Sequence, residues 1–142
     1  GTKFGNRDLW LLKLNQTGSL LWNKSYGGNS NEYCRDIIED GNGGFLLIGN
    51  SDSTNISDSG GINPDYNDMW IINIDSNGTT LWNRFHGGDN QHDVAMSGVL
   101  YPAGGFVFFG YSNSSSTGTK SSGRLGGYDF WLIKANSAGT KN

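Results

Sequence analysis

The sequence predicts an all-β fold. Three features carry that expectation: a composition of turn formers and aromatics, short alternating apolar stretches, and a segment that recurs about every sixty residues. Gly, Ser, Asn and Thr make up close to half of the 142 residues, Gly alone contributing 23, while 16% are charged and 13% aromatic, with five Trp. Helices favour Ala, Leu, Glu and Lys, and this chain is poor in Ala and Glu; short strands joined by tight turns need the residues it has. The apolar residues fall in clean blocks, which argues against disorder. The length allows one domain with a real core.

The recurrence is explicit. Asp8-Leu9-Trp10-Leu11-Leu12-Lys13-Leu14 returns as Asp68-Met69-Trp70-Ile71-Ile72-Asn73-Ile74 and again as Asp129-Phe130-Trp131-Leu132-Ile133-Lys134-Ala135. The first two copies are followed by a turn ending in Gly18 or Gly78, then Leu21-Trp22-Asn23 or Leu81-Trp82-Asn83, then Gly27-Gly28 or Gly87-Gly88. Gly43-Gly44-Phe45 with Gly49 matches Gly104-Gly105-Phe106 with Gly110.

Each repeat reads as four strands. The first is expected at 33–39 and 94–100, the second at 45–50 and 106–111, the third at 8–14, 69–75 and 129–135, and the fourth at 20–26 and 80–86. The third strand alternates with apolar groups on both faces, as in a sheet sandwiched between two others. The second is apolar throughout and should be buried. Four antiparallel strands per unit, stacked face to face, describe the blade of a β-propeller. The chain then parses as a partial blade (1–28, the last two strands), a complete blade (29–88) and a partial blade (89–142, the first three strands). That makes nine strands, about two and a quarter repeats. A propeller needs about four blades to close, so further blades of the same protein, or assembly of copies, are expected. A nine-strand barrel or sandwich is the alternative.

The pattern Asp-x-Trp, a Gly turn, Trp, Gly-Gly and Gly-Gly-Phe resembles the propeller repeats of large secreted or cell-surface bacterial proteins. It is especially close to those of Bacteroidota exported by the type IX system. The resemblance spans nearly the whole chain and implies an extracellular or outer-membrane surface location with no chemistry of its own. Thr17-Gly18-Ser19-Leu20-Leu21-Trp22 is also similar to the docking motif of quinoprotein and outer-membrane assembly propellers, where the Trp plugs the gap between blades. The adjacent Cys pair of many quinoproteins is missing here.

The net charge of −3 and pI near 5.1 offer no basic stripe for nucleic acid. No run of about 18 apolar residues is present to span a membrane as a helix. The chain begins at Gly1 without a signal peptide, which suggests a mature product or a fragment. Cys34, the single cysteine, matches Ala95 and is expected to be a small buried residue.

Recurring Asp8, Asp68 and Asp129 read as side-chain acceptors for backbone N–H groups entering the third strand. Trp10, Trp22, Trp70, Trp82 and Trp131 read as packing between blades. Asp52, Asp58 and Asp65 in the 50–67 loop form a candidate calcium site, since oxygen ligands in a flexible loop suit that ion; no other cofactor is expected. His86, Asp89, His92 and Asp93 cluster without orthodox zinc spacing and read as a solvated loop.

The loops at 27–32, 50–67, 87–92 and 112–128 share one end of the units and differ between copies, as ligand-binding loops do. Asp65, Tyr66, His92 and Tyr128 are the candidate contacts there. No Ser-His-Asp or Cys-His order and no phosphate loop is present, so a non-catalytic binding, adhesion or scaffold module recognising a surface protein or glycan is expected. A glycan-binding lectin, the propeller domain of a secreted hydrolase and a subunit of an outer-membrane assembly are the alternatives.

Overall fold

The computed structural model describes residues 2–56, 66–89 and 91–142. Nine strands follow one another: β1 (Leu9–Leu14), β2 (Leu20–Tyr26), β3 (Glu32–Glu39), β4 (Phe45–Ser51), β5 (Asp68–Ile74), β6 (Thr80–His86), β7 (Asp93–Leu100), β8 (Phe106–Ser112) and β9 (Asp129–Ala135). Consecutive strands pair antiparallel within sheets of two (β1-β2), four (β3-β4-β5-β6) and three strands (β7-β8-β9). Among the described residues no sheet closes on itself. Among the described residues no helix is long and apolar enough to cross a membrane.

The middle sheet is apolar on both faces because both are covered. In β4 and β5, Phe45, Leu47, Trp70, Ile72 and Ile74 pack with Leu9, Leu11, Trp22 and Tyr26 of the first sheet. The alternate residues Leu46, Ile48, Met69 and Ile71 pack with Ala95, Phe106, Phe108, Trp131, Ile133 and Ala135 of the third. Period-two alternation thus sends one set of side chains to each neighbour. Phe106, Phe108, Trp131, Ile133 and Ala135 are the repeat counterparts of Phe45, Leu47, Trp70, Ile72 and Ile74, so the two buried seams follow one scheme.

Turns between the third and fourth strands of each repeat are built alike three times. Asn15, Asp75 and Asn136 each accept, at Oδ1, hydrogen bonds from backbone N–H groups two and four residues on, at 2.8–3.0 Å. This Asx geometry ends on a glycine at positive φ: Gly18 at 82°, Gly78 at 76° and Gly139 at 73°. The fourth strand of the preceding sheet grips this turn. Trp22 Nε1 donates to Ser76 O at 3.1 Å and Tyr26 Oη to Gly78 O at 2.7 Å. Burial, with the Asp75 charge adding to it, pushes the Tyr26 hydroxyl up to about 12. Its counterpart His86 meets Gly139 O through Nε2 at 3.0 Å.

A methyl group on Gly78 would lie 3.0 Å from both Trp22 Cη2 and Tyr26 Oη, while one on Gly18 would meet nothing within 4 Å. Gly18→Ala is therefore expected to cost about 1–2 kcal/mol for the left-handed backbone alone. Gly78→Ala should cost roughly a further 1 kcal/mol or more for displacing the two rings, a gap that urea unfolding of the two variants would measure.

At the same end, Asp40 holds the β3–β4 turn. Its Oδ1 accepts from Asn42 N at 2.8 Å and Gly44 N at 2.9 Å, and its Oδ2 from Asn73 Nδ2 at 3.0 Å. Burial acts to raise the Asp40 pKa, and these bonds together outweigh it, leaving the carboxyl below its ordinary 3.8. A depressed folded pKa contributes stability that is fully present above the unfolded value and is lost as pH falls through the folded one. Stability is accordingly expected to decline below about pH 4, and Asp40→Asn, titrated by thermal unfolding, should decline less steeply over that window.

Two sequence expectations need correction. Cys34 is exposed rather than buried. It faces the first sheet, which has only two strands and leaves β3 uncovered, whereas Ala95 faces a complete sheet and is fully buried. The second strand of the unit is buried in β4, but in β8 Val107 and Phe109 are half-buried and Tyr111 is exposed, since no sheet lies beyond them. Of the five Trp, Trp70 and Trp131 are buried and Trp22 and Trp82 half-buried against the apolar clusters between the sheets, while Trp10 lies exposed on the first sheet.

Candidate binding surface

At the end opposite the tight turns, the β2–β3, β4–β5, β6–β7 and β8–β9 connections lie on a frame that the repeat writes twice. Glu32 opens β3 and is buried. Its Oε2 accepts from Gly28 N at 3.0 Å, and its Oε1 accepts from Ser51 Oγ at 2.8 Å and from Ser53 Oγ. Asp93 opens β7, is also buried, and accepts at Oδ2 from Gly88 N at 3.0 Å and from Ser114 Oγ. Ser53 N and Ser114 N each donate to the serine two residues back, Ser51 or Ser112, at 3.1 Å. A buried carboxylate thus ties a Gly-Gly turn to a Ser-x-Ser segment in both copies. In a low-dielectric interior such charge-assisted bonds are strong and costly to break. Sequence reasoning did not assign Glu32 this role. The signal for it was Ser51-Asp52-Ser53 matching Ser112-Asn113-Ser114.

The recurring aspartates fasten neighbouring backbone. Asp8 accepts from Phe4 N at 2.9 Å and Gly5 N at 3.1 Å, and Asp129 from Leu125 N at 2.7 Å.

Asp52, the one described residue of the proposed calcium set, has both oxygens engaged. Oδ1 accepts from Asn31 N at 2.6 Å and Oδ2 from Asn31 Nδ2 at 3.2 Å. Burial alone would raise its pKa; the bonds from Asn31 and Ser30 prevail and hold it below the ordinary carboxylate value. In the next repeat neutral Asn113 does the same work, accepting from His92 N at 2.8 Å. An acceptor is what this position requires, and charge is incidental to it. Asp58 and Asp65 lie outside the described residues, and among the described residues no group of three or more His, Cys, Asp or Glu could hold a metal.

Of the four candidate contacts, Tyr66 and His92 come together: their rings meet edge-on, centroids 5.6 Å apart at 76°. They join the β4–β5 loop to the β6–β7 loop of the next repeat, and Tyr66 remains 50% exposed. Tyr128 stands apart from this pair, its ring meeting Tyr111 edge-on at 5.4 Å. Asp65 lies outside the described residues.

The surrounding loops are pinned by polar bonds. Asn50 Nδ2 donates to Asn67 Oδ1 at 2.6 Å, and Ser115 N to Asp89 Oδ1 at 2.8 Å. Buried Lys120 donates through Nζ to Ser114 O at 2.6 Å. Asp89 is held below the ordinary carboxylate pKa, chiefly by the Ser115 N–H. The surface therefore presents a half-exposed aromatic ring among amide, hydroxyl and carboxylate groups on a rigid base. Such a set can stack on and hydrogen-bond a polar ligand. No family model matches this chain, and no curated protein matches it.

Proposed function

We propose that the three sheets are successive blades of a β-propeller, one complete and two partial, in a secreted or surface-exposed bacterial protein of the kind its repeats resemble. In this reading the chain is a non-catalytic binding or scaffold module that recognises a protein or glycan through its variable loops. The observation that carries it is the pairing of a repeated frame with unrepeated loops. Glu32 and Asp93 anchor equivalent turns, while the loops above them differ in length and residues. His86 meets the Gly139 carbonyl and His92 packs edge-on against Tyr66.

Half-exposed Tyr66 favours a glycan as ligand, because a tyrosine face offers apolar area and its hydroxyl a hydrogen bond. A glycan array followed by titration calorimetry tests this. Saturable binding is expected, weakened by about tenfold or more in Tyr66→Ala, equivalent to roughly 1.4 kcal/mol, with thermal unfolding unchanged. Release of sugar from any bound glycan would replace the non-catalytic reading with that of a hydrolase domain. An array without hits, alongside capture of a surface protein that Tyr66→Ala abolishes, would move the ligand from glycan to protein.

A further inference from the structure

Each Gly-Gly turn at the loop end brings two carboxylates together, and the two copies satisfy them differently. A methyl group on Gly27 would collide with Asp8 Oδ1 and lie 2.6 Å from Glu32 Oε2. One on Gly87 would collide with Asp68 Oδ1 and lie 3.1 Å from Asp93 Oδ2. In the first copy Glu32 accepts at both oxygens, and Asp8 takes the Phe4 and Gly5 amides. In the second, Asp93 is a methylene shorter. Its Oδ2 takes both Gly88 N and Ser114 Oγ, and its Oδ1 lies buried with no hydrogen-bond partner. Asn50, 2% exposed, also has an unpartnered Oδ1. It shares the face of Leu46 and Ile48, toward the third sheet, where Asp93 opens β7. Asn67 joins the two, accepting from Asn50 Nδ2 at its side chain (2.6 Å) and from Asp93 N at its carbonyl (2.8 Å). Asp68 follows Asn67 in the chain and is itself buried.

Two orphan acceptors beside a pair of buried carboxylates favour a cation over a neutral donor. Buried Lys120 brings one ammonium to this region, but its Nζ turns to Ser114 O at 2.6 Å. We propose that Asp93 Oδ1, Asn50 Oδ1 and the Asp68 carboxylate bind a divalent cation of the calcium class. The donors are all oxygen, two of the three groups are anionic, and the third is an amide carbonyl, a set that suits calcium. Burial disfavours magnesium, which gives up its water reluctantly. The site is separate from the Asp52, Asp58 and Asp65 set. It lies at the root of two loops, since Asn67 follows Tyr66 and Asp93 follows His92, and it stands whether or not those rings contact a glycan.

Titration calorimetry of the metal-free 142-residue chain with calcium chloride, over about 0.01–10 mM, is the test. Saturable binding is expected, with a melting temperature that climbs as calcium is added and climbs less with magnesium. Asp93→Asn keeps one oxygen for Gly88 N and Ser114 Oγ, so it should fold. Without calcium it should melt at or above the wild-type temperature, because an unpaired buried charge is gone. Its calcium affinity should fall by about tenfold or more, and calcium should no longer raise its melting temperature. Asp68→Asn is expected to lose calcium in the same way and serves if Asp93→Asn does not fold. A purely structural carboxylate would make Asp93→Asn less stable than wild type in both buffers, and that result would overturn the proposal. So would a wild-type chain that calcium neither binds nor stabilises, which would leave a buried water on the two oxygens. Binding that survives both Asp93→Asn and Asp68→Asn would overturn it as well, by placing the ion elsewhere.

Discussion

Trp70→Ala is expected to lower the free energy of unfolding by about 3–5 kcal/mol, and Trp10→Ala by no more than about 0.5 kcal/mol. The two residues hold the same position in successive repeats, and their side chains hydrogen-bond alike. Trp70 Nε1 donates to Asn83 Oδ1 at 3.0 Å and Trp10 Nε1 to Asn23 Oδ1 at 3.4 Å. What differs is cover. Trp70 is stacked with Phe85, centroids 5.9 Å apart, inside the seam between the first two sheets. Truncating it opens a cavity lined by Leu9, Tyr26, Leu47 and Ile72, which strand pairing holds in place and which therefore cannot collapse. Trp10 has no sheet over it, so its loss removes little buried area. Guanidinium titrations in dilute solution, with unchanged slope, would give both values. Equal and large costs would mean that the Trp10 face is covered even in dilute monomer; equal and small costs would mean that the seam around Trp70 is not formed.

That contrast marks where the sequence stops being readable. Strand positions follow from alternation and from the Asp-x-Trp recurrence, and they agree with the structure to within a residue or so. The exceptions have a cause. Asp68 lies inside β5 because Ser51 of the adjacent strand pairs with it, as Ser112 pairs with Asp129 at the expected start of β9, whereas Asp8 precedes β1, which has no such neighbour among the described residues. Which copy of an apolar face is covered was not legible, because Trp10, Trp70 and Trp131 look alike in sequence and only the count of strands on either side tells them apart. Cys34 and Ala95 were separated for the same reason. The carboxylate frame was hidden by two small changes. Glu32 and Asp93 differ in type, and a one-residue insertion between Asp89 and His92 shifts the offset from that of Gly28 and Gly88. The Tyr66–His92 pair could be named as two loop residues, but their meeting depends on the loops of two sheets lying side by side, which no periodicity encodes.

Glu32→Ala should lower stability by about 3 kcal/mol or more, because it strands three buried donors at once: Gly28 N–H, Ser51 Oγ and Ser53 Oγ. Each buried donor left without an acceptor costs about 1–3 kcal/mol, and the three share one site, so their costs combine within a network and do not simply add. The third sheet supplies the control. There Asp93, a methylene shorter, holds the Gly88 N–H and Ser114 Oγ. Glu32→Asp should therefore recover most of the loss and cost about 1 kcal/mol, whereas Glu32→Gln should fall between Asp and Ala: its amide oxygen still accepts from Ser51 Oγ and Ser53 Oγ, but its amide nitrogen cannot accept from Gly28 N–H. The candidate binding surface gives an independent readout. The Glu32 frame underlies the loops at 27–31 and 52–56, through Asn29 N to Asn55 Oδ1 at 2.7 Å and Ser30 N to Ser53 Oγ at 2.8 Å. Amide hydrogen exchange should consequently quicken in those segments in Glu32→Ala and remain slow at Ile71 and Ile72, in the centre of the middle sheet. Uniformly faster exchange would place the carboxylate's contribution in the core of the stack; exchange that quickens at the loops alone would make Glu32 the residue that holds the loop end in shape.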